Sequence, residues 1–167
     1  MFFFKQKLKR IAKNSNEFLY MIDFEDYKEV VYDIIGAAME VHRTIGGGLL
    51  EPIYNESLSI ELKSNGIDNQ REVELPCFYK GIQLEKKYRM DILVDEEICV
   101  ELKSVNGILP EHRMQLFNYL RLTKKHIGIL INFGTNSLSG ERYGYIEEEN
   151  SFVILDKNMR PLKNHTL

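Results

Sequence analysis

Lys86 to Lys103 reads KKYRMDILVDEEICVELK, and this stretch decides the fold. Tyr88, Met90, Ile92 and Val94 alternate with Arg89, Asp91, Leu93 and Asp95. Further on, Ile98, Val100 and Leu102 alternate with Cys99, Glu101 and Lys103. Period-two alternation marks strands with one buried face. The spacing therefore predicts a hairpin whose two apolar sets form one core-facing surface. With Asp95, Glu96 and Glu97 as a three-residue loop, Val94 stands opposite Ile98 and Asp91 opposite Glu101. Asp91, Glu101 and Lys103 then share the other face, with Cys99 beside them. Opposed side chains on one face have Cβ atoms ~5 Å apart, and like charges there repel. A positive group between the carboxylates relieves that repulsion. Lys103 is one candidate and a divalent metal another, since hard cations such as Mg²⁺ take carboxylate oxygens and keep water for chemistry. A solvated strand face, with Lys103 as a surface partner of Glu101, fits the same residues.

Outward from the hairpin, the chain supplies helices to cover it. Its 167 residues suit one domain. From Phe24 to Thr44, Val30, Ile34, Ala37, Ala38 and Val41 recur at spacings of three and four, which predicts a helix with one buried stripe. Asp23 is the expected N-cap. Gly46, Gly47 and Gly48 end that helix, and no GKS or GKT follows to make them a phosphate loop. A second helix is expected over Leu50 to Asn65, with Ile53, Leu58, Ile60 and Leu62 apolar, Gly66 at its end and Glu51 in its first turn. Ile67 to Tyr79 reads as a strand, and Pro76 places it at an edge or a bulge.

Past Lys103, Pro110 opens a third helix that runs to about Thr123, with Met114, Phe117 and Leu120 as its expected buried stripe. Gln115 and Tyr119 lie four apart on a neighbouring face. His126 to Phe133, HIGILINF, is a nearly continuous apolar run, the mark of a buried strand. A helix between two strands predicts a right-handed parallel crossover. Asn136 to Gly140 reads as a loop, and Tyr143 to Ile146 and Phe152 to Leu155 as short strands. The fold class is therefore α/β, a mixed sheet with helices packed on it. Residues 1–22 are set apart as a basic extension carrying Lys5, Lys7, Lys9, Arg10 and Lys13, read as a helix or tail with a nucleic-acid or membrane-surface contact as the alternative, and residues 23–167 as the domain.

Composition narrows the function. The net charge of −3 gives no global basic character, which argues against a passive polyanion binder but not against an enzyme with a local positive groove. Cys77 and Cys99 lack CxxC spacing and read as reduced thiols of a cytoplasmic protein. No apolar run approaches the ~20 residues that span a bilayer. His42 and His112 have no partner histidines at metal spacing, so surface or capping roles are expected.

The hairpin with Asp91, Glu101 and Lys103 resembles the core of the PD-(D/E)XK nuclease superfamily. Gly48-Leu49-Leu50-Glu51-Pro52-Ile53-Tyr54 resembles the name-giving motif of its GxxExxY branch. The AAMEVHRTIGGGLLE, YRMDILV, VELK and LINFG stretches follow in the expected order, and Gln115-Leu116-Phe117-Asn118-Tyr119 resembles the QxxxY motif of RecB-like exonucleases. Gly47 stands where the branch usually carries proline.

The resemblance implies a PD-(D/E)XK nuclease-like mixed β-sheet flanked by α-helices, and a nuclease cleaving DNA phosphodiesters with Mg²⁺ or Mn²⁺. Asp91 and Glu101 would bind metal, with the Leu102 carbonyl as a further ligand. Lys103 would orient or deprotonate water. Glu51 would serve as outer ligand or water-holder, and Gln115 and Tyr119 would contact the scissile phosphate or orient Lys103. The helix-face alternative for Gln115 and Tyr119, half buried against the sheet, stays open. So does a noncatalytic module that binds nucleic acid or protein. A homodimer would allow both strands of a duplex to be cut. Two geometric expectations follow: the Asp91 and Glu101 carboxylates converge, and Glu51 points towards them.

Overall fold

The computed structural model describes residues 8–13 and 17–166, with side chains over residues 22–162. Leu8–Lys13 (β1) and Glu17–Ile22 (β2) pair antiparallel, from Leu8 with Ile22 to Lys13 with Glu17. This replaces the expected helix or tail. Phe18, Leu19, Tyr20 and Ile22 are strand formers, and that local preference outweighs the lysine content. The expected basic residues Lys5 and Lys7 lie outside the described residues.

Asp23 caps a short 3₁₀ turn, Phe24–Tyr27, accepting from the Glu25 amide at 3.2 Å. Lys28–Ile45 (α1) follows and buries Val30, Ile34, Ala37, Ala38 and Val41, the stripe its periodicity marks. Glu51–Ser64 (α2) buries Tyr54, Asn55, Leu58, Ser59 and Leu62 instead of the expected Ile53 and Ile60, which are exposed. Two polar residues on the inner face hide the stripe from a hydrophobic count.

Seven strands form the main sheet. They are Asn69–Tyr79 (β3), Ile82–Val94 (β4), Ile98–Lys103 (β5), Ile127–Asn132 (β6), Ser139–Ile146 (β7), Ser151–Leu155 (β8) and Pro161–Thr166 (β9), ordered in space as in sequence. β5 and β6 run parallel, joined by Pro110–Thr123 (α3), and the other neighbours pair antiparallel. Pro76 lies in β3, an edge strand, where its missing N–H costs no ladder bond. β7 already holds the expected loop residues Ser139 and Gly140. β9 was not expected, because PLKNHT carries no apolar alternation.

The sheet is covered on both faces. Ile92, Val94, Ile98, Val100, Leu102, Ile127, Ile129 and Ile131 join the buried residues of α1 and α2 in one cluster. Met90, Cys99, Leu130, Tyr143, Tyr145 and Phe152 join Leu116, Phe117, Tyr119 and Leu120 of α3 in the other. Met114, expected inside, is 45 % exposed, while Leu116 replaces it. Cys99 is fully buried. Each large apolar side chain so buried contributes about 1.5–3 kcal/mol.

Candidate active site

The site forms where two strands part. Val94 pairs with Ile98, Leu93 with Cys99 and Ile92 with Val100, which is the register the three-residue loop sets. Described pairing between β4 and β5 ends there. Met90 and Ile92 would share a face in a regular strand, yet they lie in opposite core clusters. The expected single apolar face of β4 therefore switches sides at Asp91. The break coincides with a feature of β3, where Glu72 adopts φ 54° and the ladder is interrupted between the Arg71–Ile92 and Val73–Met90 pairs. Asp91 turns into the opening, and its Oδ2 accepts the Leu102 amide at 2.7 Å in place of a strand partner. The Lys103 carbonyl accepts from Phe133 of the next strand side. By alternation, the Leu102 carbonyl faces the gap beside Asp91.

Glu101 and Lys103 follow Cys99 on the α3 side of β5, and both are buried. The Lys103 ammonium binds Glu101 Oε1 and lies 3.8 Å from Glu51 Oε2. Glu101 Oε2 is buried with no hydrogen-bond partner. Burial, then the Asp91 charge, pushes the Glu101 carboxyl up to about 8 against the opposing pull of Lys103. Burial also raises Asp91, although the Leu102 amide favours its charged form. Glu51 is raised by burial too, with Lys103 opposing and Asp91 and Glu72 adding to the rise. Three carboxylates thus face one ammonium.

The glycine turn explains how Glu51 arrives there. Gly46 and Gly48 adopt φ 77° and 82°, conformations that disfavour a side chain. A Cβ on Gly47 would stand 2.7 Å from the Thr135 carbonyl oxygen. The Gly48 amide donates to the Phe133 carbonyl at 3.2 Å, and Ser104 Oγ donates to the Leu49 carbonyl at 2.5 Å. Tyr54 locks the turn: its hydroxyl donates to the Gly46 carbonyl at 2.8 Å and accepts the Leu49 amide at 2.9 Å. Its ring stacks on Phe133 with centroids 4.4 Å apart. Leu50 is extended, Glu51 is the first helical residue, and the turn is tied to the strand end that carries Lys103.

Gln115 and Tyr119 bind each other and β4. Gln115 Nε2 donates to the Tyr119 hydroxyl at 2.6 Å, and that hydroxyl donates to the Arg89 carbonyl at 2.9 Å. Tyr119 is fully buried and raised by burial and by the Glu101 charge. The bonds formed thus run to the backbone two residues before Asp91, rather than to Lys103. The two histidines have structural bonds. His42 Nε2 donates to the Thr135 carbonyl at 2.9 Å, and His112 Nδ1 accepts the Leu109 amide at 3.0 Å at the start of α3.

Sequence reasoning missed Asn55 and Glu72. Asn55 is 1 % exposed; its Nδ2 donates to the Asp91 carbonyl and to Glu72 Oε1, both at 3.2 Å, and its Oδ1 accepts from Arg71 at 2.6 Å. Glu72 pairs with Arg89 at 2.8 Å. A buried amide holding the Asp91 backbone fixes that carboxylate in the opening. The available signal was an asparagine one residue after Tyr54 on the inner stripe of α2.

Among the described residues, no three His, Cys, Asp or Glu side chains converge as a preformed metal cage. The donor set nevertheless fits a hard cation. Glu101 Oε2 is a buried acceptor without a partner, next to a second carboxylate, and both carboxyls are destabilised in their charged forms. A cation between them would satisfy the first defect and relieve the second.

A family model described as the PD-(D/E)XK nuclease superfamily matches residues 28–143, more than half of the chain, including all the residues of this site. No curated protein matches. A solved structure described as the crystal structure of SSO0001 is similar at 22 % identity and a TM-score of 0.47, covering 75 % of this chain. The chain spans 64 % of the length of that protein's chain. No described helix is long and apolar enough to cross a membrane.

Proposed function

Because the chain belongs to the PD-(D/E)XK nuclease superfamily, we propose that it is a metal-dependent nuclease acting on DNA phosphodiesters, of the GxxExxY branch. The observation that carries this reading is Glu101, whose Oε1 binds Lys103 while its Oε2 is buried with no partner at hydrogen-bond distance, close to the Asp91 carboxylate and the Tyr119 hydroxyl. Asp91, Glu101 and the Leu102 carbonyl would hold Mg²⁺ or Mn²⁺, with Glu51 as an outer ligand. A bound ion acidifies coordinated water and offsets charge that builds on phosphate. Lys103 as the ammonium would orient the attacking water and stabilise the anionic phosphate oxygens, and only after giving up its proton could the amine accept one from that water. Glu51, 3.8 Å from the same ammonium, would keep it from swinging out of the site. Tyr119, held by Gln115, positions the backbone that delivers Asp91.

The GxxExxY assignment draws support from the Tyr54 and glycine contacts, which set Glu51 beside Lys103. A cytoplasmic setting is supported by two free thiols. Dimerisation, which would give one site for each strand, is tested by solution mass. The function itself is tested by incubating the pure protein with single- and double-stranded DNA and RNA, with Mg²⁺, Mn²⁺ or chelator. Metal-dependent cleavage of DNA is expected. Cleavage confined to RNA would move the substrate, and binding without cleavage under every condition would favour a noncatalytic nucleic-acid module.

A further inference from the structure

Arg142 stands apart from the other arginines whose side chains are described. Arg43, Arg71, Arg89, Arg113, Arg121 and Arg160 each bind a side-chain oxygen. Arg142 is half-buried, its Nε is wholly buried without a hydrogen-bond partner, and it forms no ion pair among the described residues. Asp156 contributes favourable charge, but its Oδ1 is taken by the Asn158 and Arg160 amides at 2.8 and 2.9 Å. A guanidinium N–H buried without an acceptor carries a desolvation cost, while the rest of this half-buried side chain still reaches solvent.

The surroundings indicate what would match it. Tyr143 and Tyr145 of β7 join the α3-side cluster, so Arg142 and Gly140 face α1. A cleft of about 430 Å³ lies there between α1 and the start of β7. Met39 and Leu138 give it apolar walls, and Arg142, Arg43 and Ser137 supply donors. Arg43 is held by Glu40 on the exposed helix surface, a pair weak enough to yield to a stronger anion. Gly140 lies on the floor close against Ile35, whose side chain a Cβ there would meet at 3.1 Å. Two guanidiniums and a hydroxyl are phosphate donors, and the apolar walls suit a sugar or base edge.

We propose that this cleft binds the phosphate of a nucleotide unit, either a free nucleotide or one within a strand. The site is distinct from the carboxylate site and does not require its metal. Lys103 pairs with Asn132 and Asn132 with Ser139, so the cleft begins two strands, ~10 Å, from Lys103, on the other face of the sheet.

The test is titration calorimetry of the full chain in chelator, which silences the carboxylate site, with inorganic phosphate, adenosine monophosphate and a short 5′-phosphorylated oligonucleotide as probes. The wild type should bind at least one nucleotide probe more tightly than phosphate. Arg142→Gln should weaken that binding about tenfold or more, while Arg121→Gln, which removes one positive charge from α3 on the other face of the sheet, should not. Melting of Arg142→Gln in the same buffer should show a folded protein at least as stable as wild type, as expected when an unpaired charge leaves a half-buried place. Binding of the mononucleotide identifies a free nucleotide as the ligand, and binding of the oligonucleotide alone identifies a strand. No nucleotide binding by wild type, or equal binding by Arg142→Gln, overturns the inference and leaves the nuclease reading untouched.

Discussion

Replacing Glu101 with glutamine probes the electrostatics of the site without metal. Glu101 ordinarily titrates near 4.5 and is pushed up to about 8 in the fold. Because the folded value is the higher one, the native state holds a proton that the unfolded chain releases. This group's contribution is full below pH 4.5 and is lost as pH rises through about 8. At about 1.4 kcal/mol per pH unit, the loss between those limits is on the order of 5 kcal/mol. Glu101→Gln keeps the shape and an acceptor for Lys103 but does not titrate. Urea unfolding in chelator should show wild-type stability falling between pH 5 and 8.5, with most of that slope gone in the variant. The Asp91 contribution, which has the same sign, remains in both. Divalent metal should reverse the wild-type trend, because the ion favours the charged carboxylate and its binding releases the proton. A wild-type curve that is flat over this range in chelator, or an equal slope in Glu101→Gln, refutes the reasoning.

Asn55→Ala leaves the Asp91 carbonyl, Glu72 and Arg71 without their shared partner. It should cost about 1–3 kcal/mol in denaturant melts and weaken Mn²⁺ binding by about tenfold or more in calorimetry. Tyr119→Phe removes the donor to the Arg89 carbonyl, and thermal melting should show a loss of about 1–2 kcal/mol with the fold retained by circular dichroism. Gly134→Ala would set a Cβ 2.2 Å from the Val105 backbone nitrogen. Since backbone cannot yield as a side-chain tip can, the variant should lose about 3 kcal/mol or fail to fold, as read by melting.

Much of this arrangement is legible in the sequence, and particular residues show where legibility ends. The β4–β5 register follows from loop length alone, since Asp95 to Glu97 admit one pairing of Val94 with Ile98. Parity then set Asp91 and Glu101 on a common face. Their carboxylates are neighbours in the fold for a different reason: Asp91 has left the ladder. That departure coincides with the left-handed backbone at Glu72 across the ladder, a conformation that no propensity scale would place there. The inner stripe of α2 was obscured because Asn55 and Ser59 face the sheet to bind Arg71 and Asn69. Met114 was misread because the stripe of α3 is set by Leu116 and Leu120 closing on Gly128, whose missing Cβ admits them. β9 has little apolar character of its own and is held by pairing with β8.

The central claim is that Asp91 and Glu101 hold a metal on which Lys103 depends for chemistry but not the reverse. Calorimetry with Mg²⁺ and Mn²⁺ on wild type, Asp91→Ala, Glu101→Ala and Lys103→Ala, paired with cleavage of DNA, measures this directly. The two carboxylate variants should lose most metal affinity. Lys103→Ala removes the ammonium from beside the carboxylates, so it should bind metal at least as well as wild type while cleavage falls on the order of 10²-fold or more. Cleavage that survives unchanged in both Glu101→Ala and Lys103→Ala would contradict the account and place the active site elsewhere.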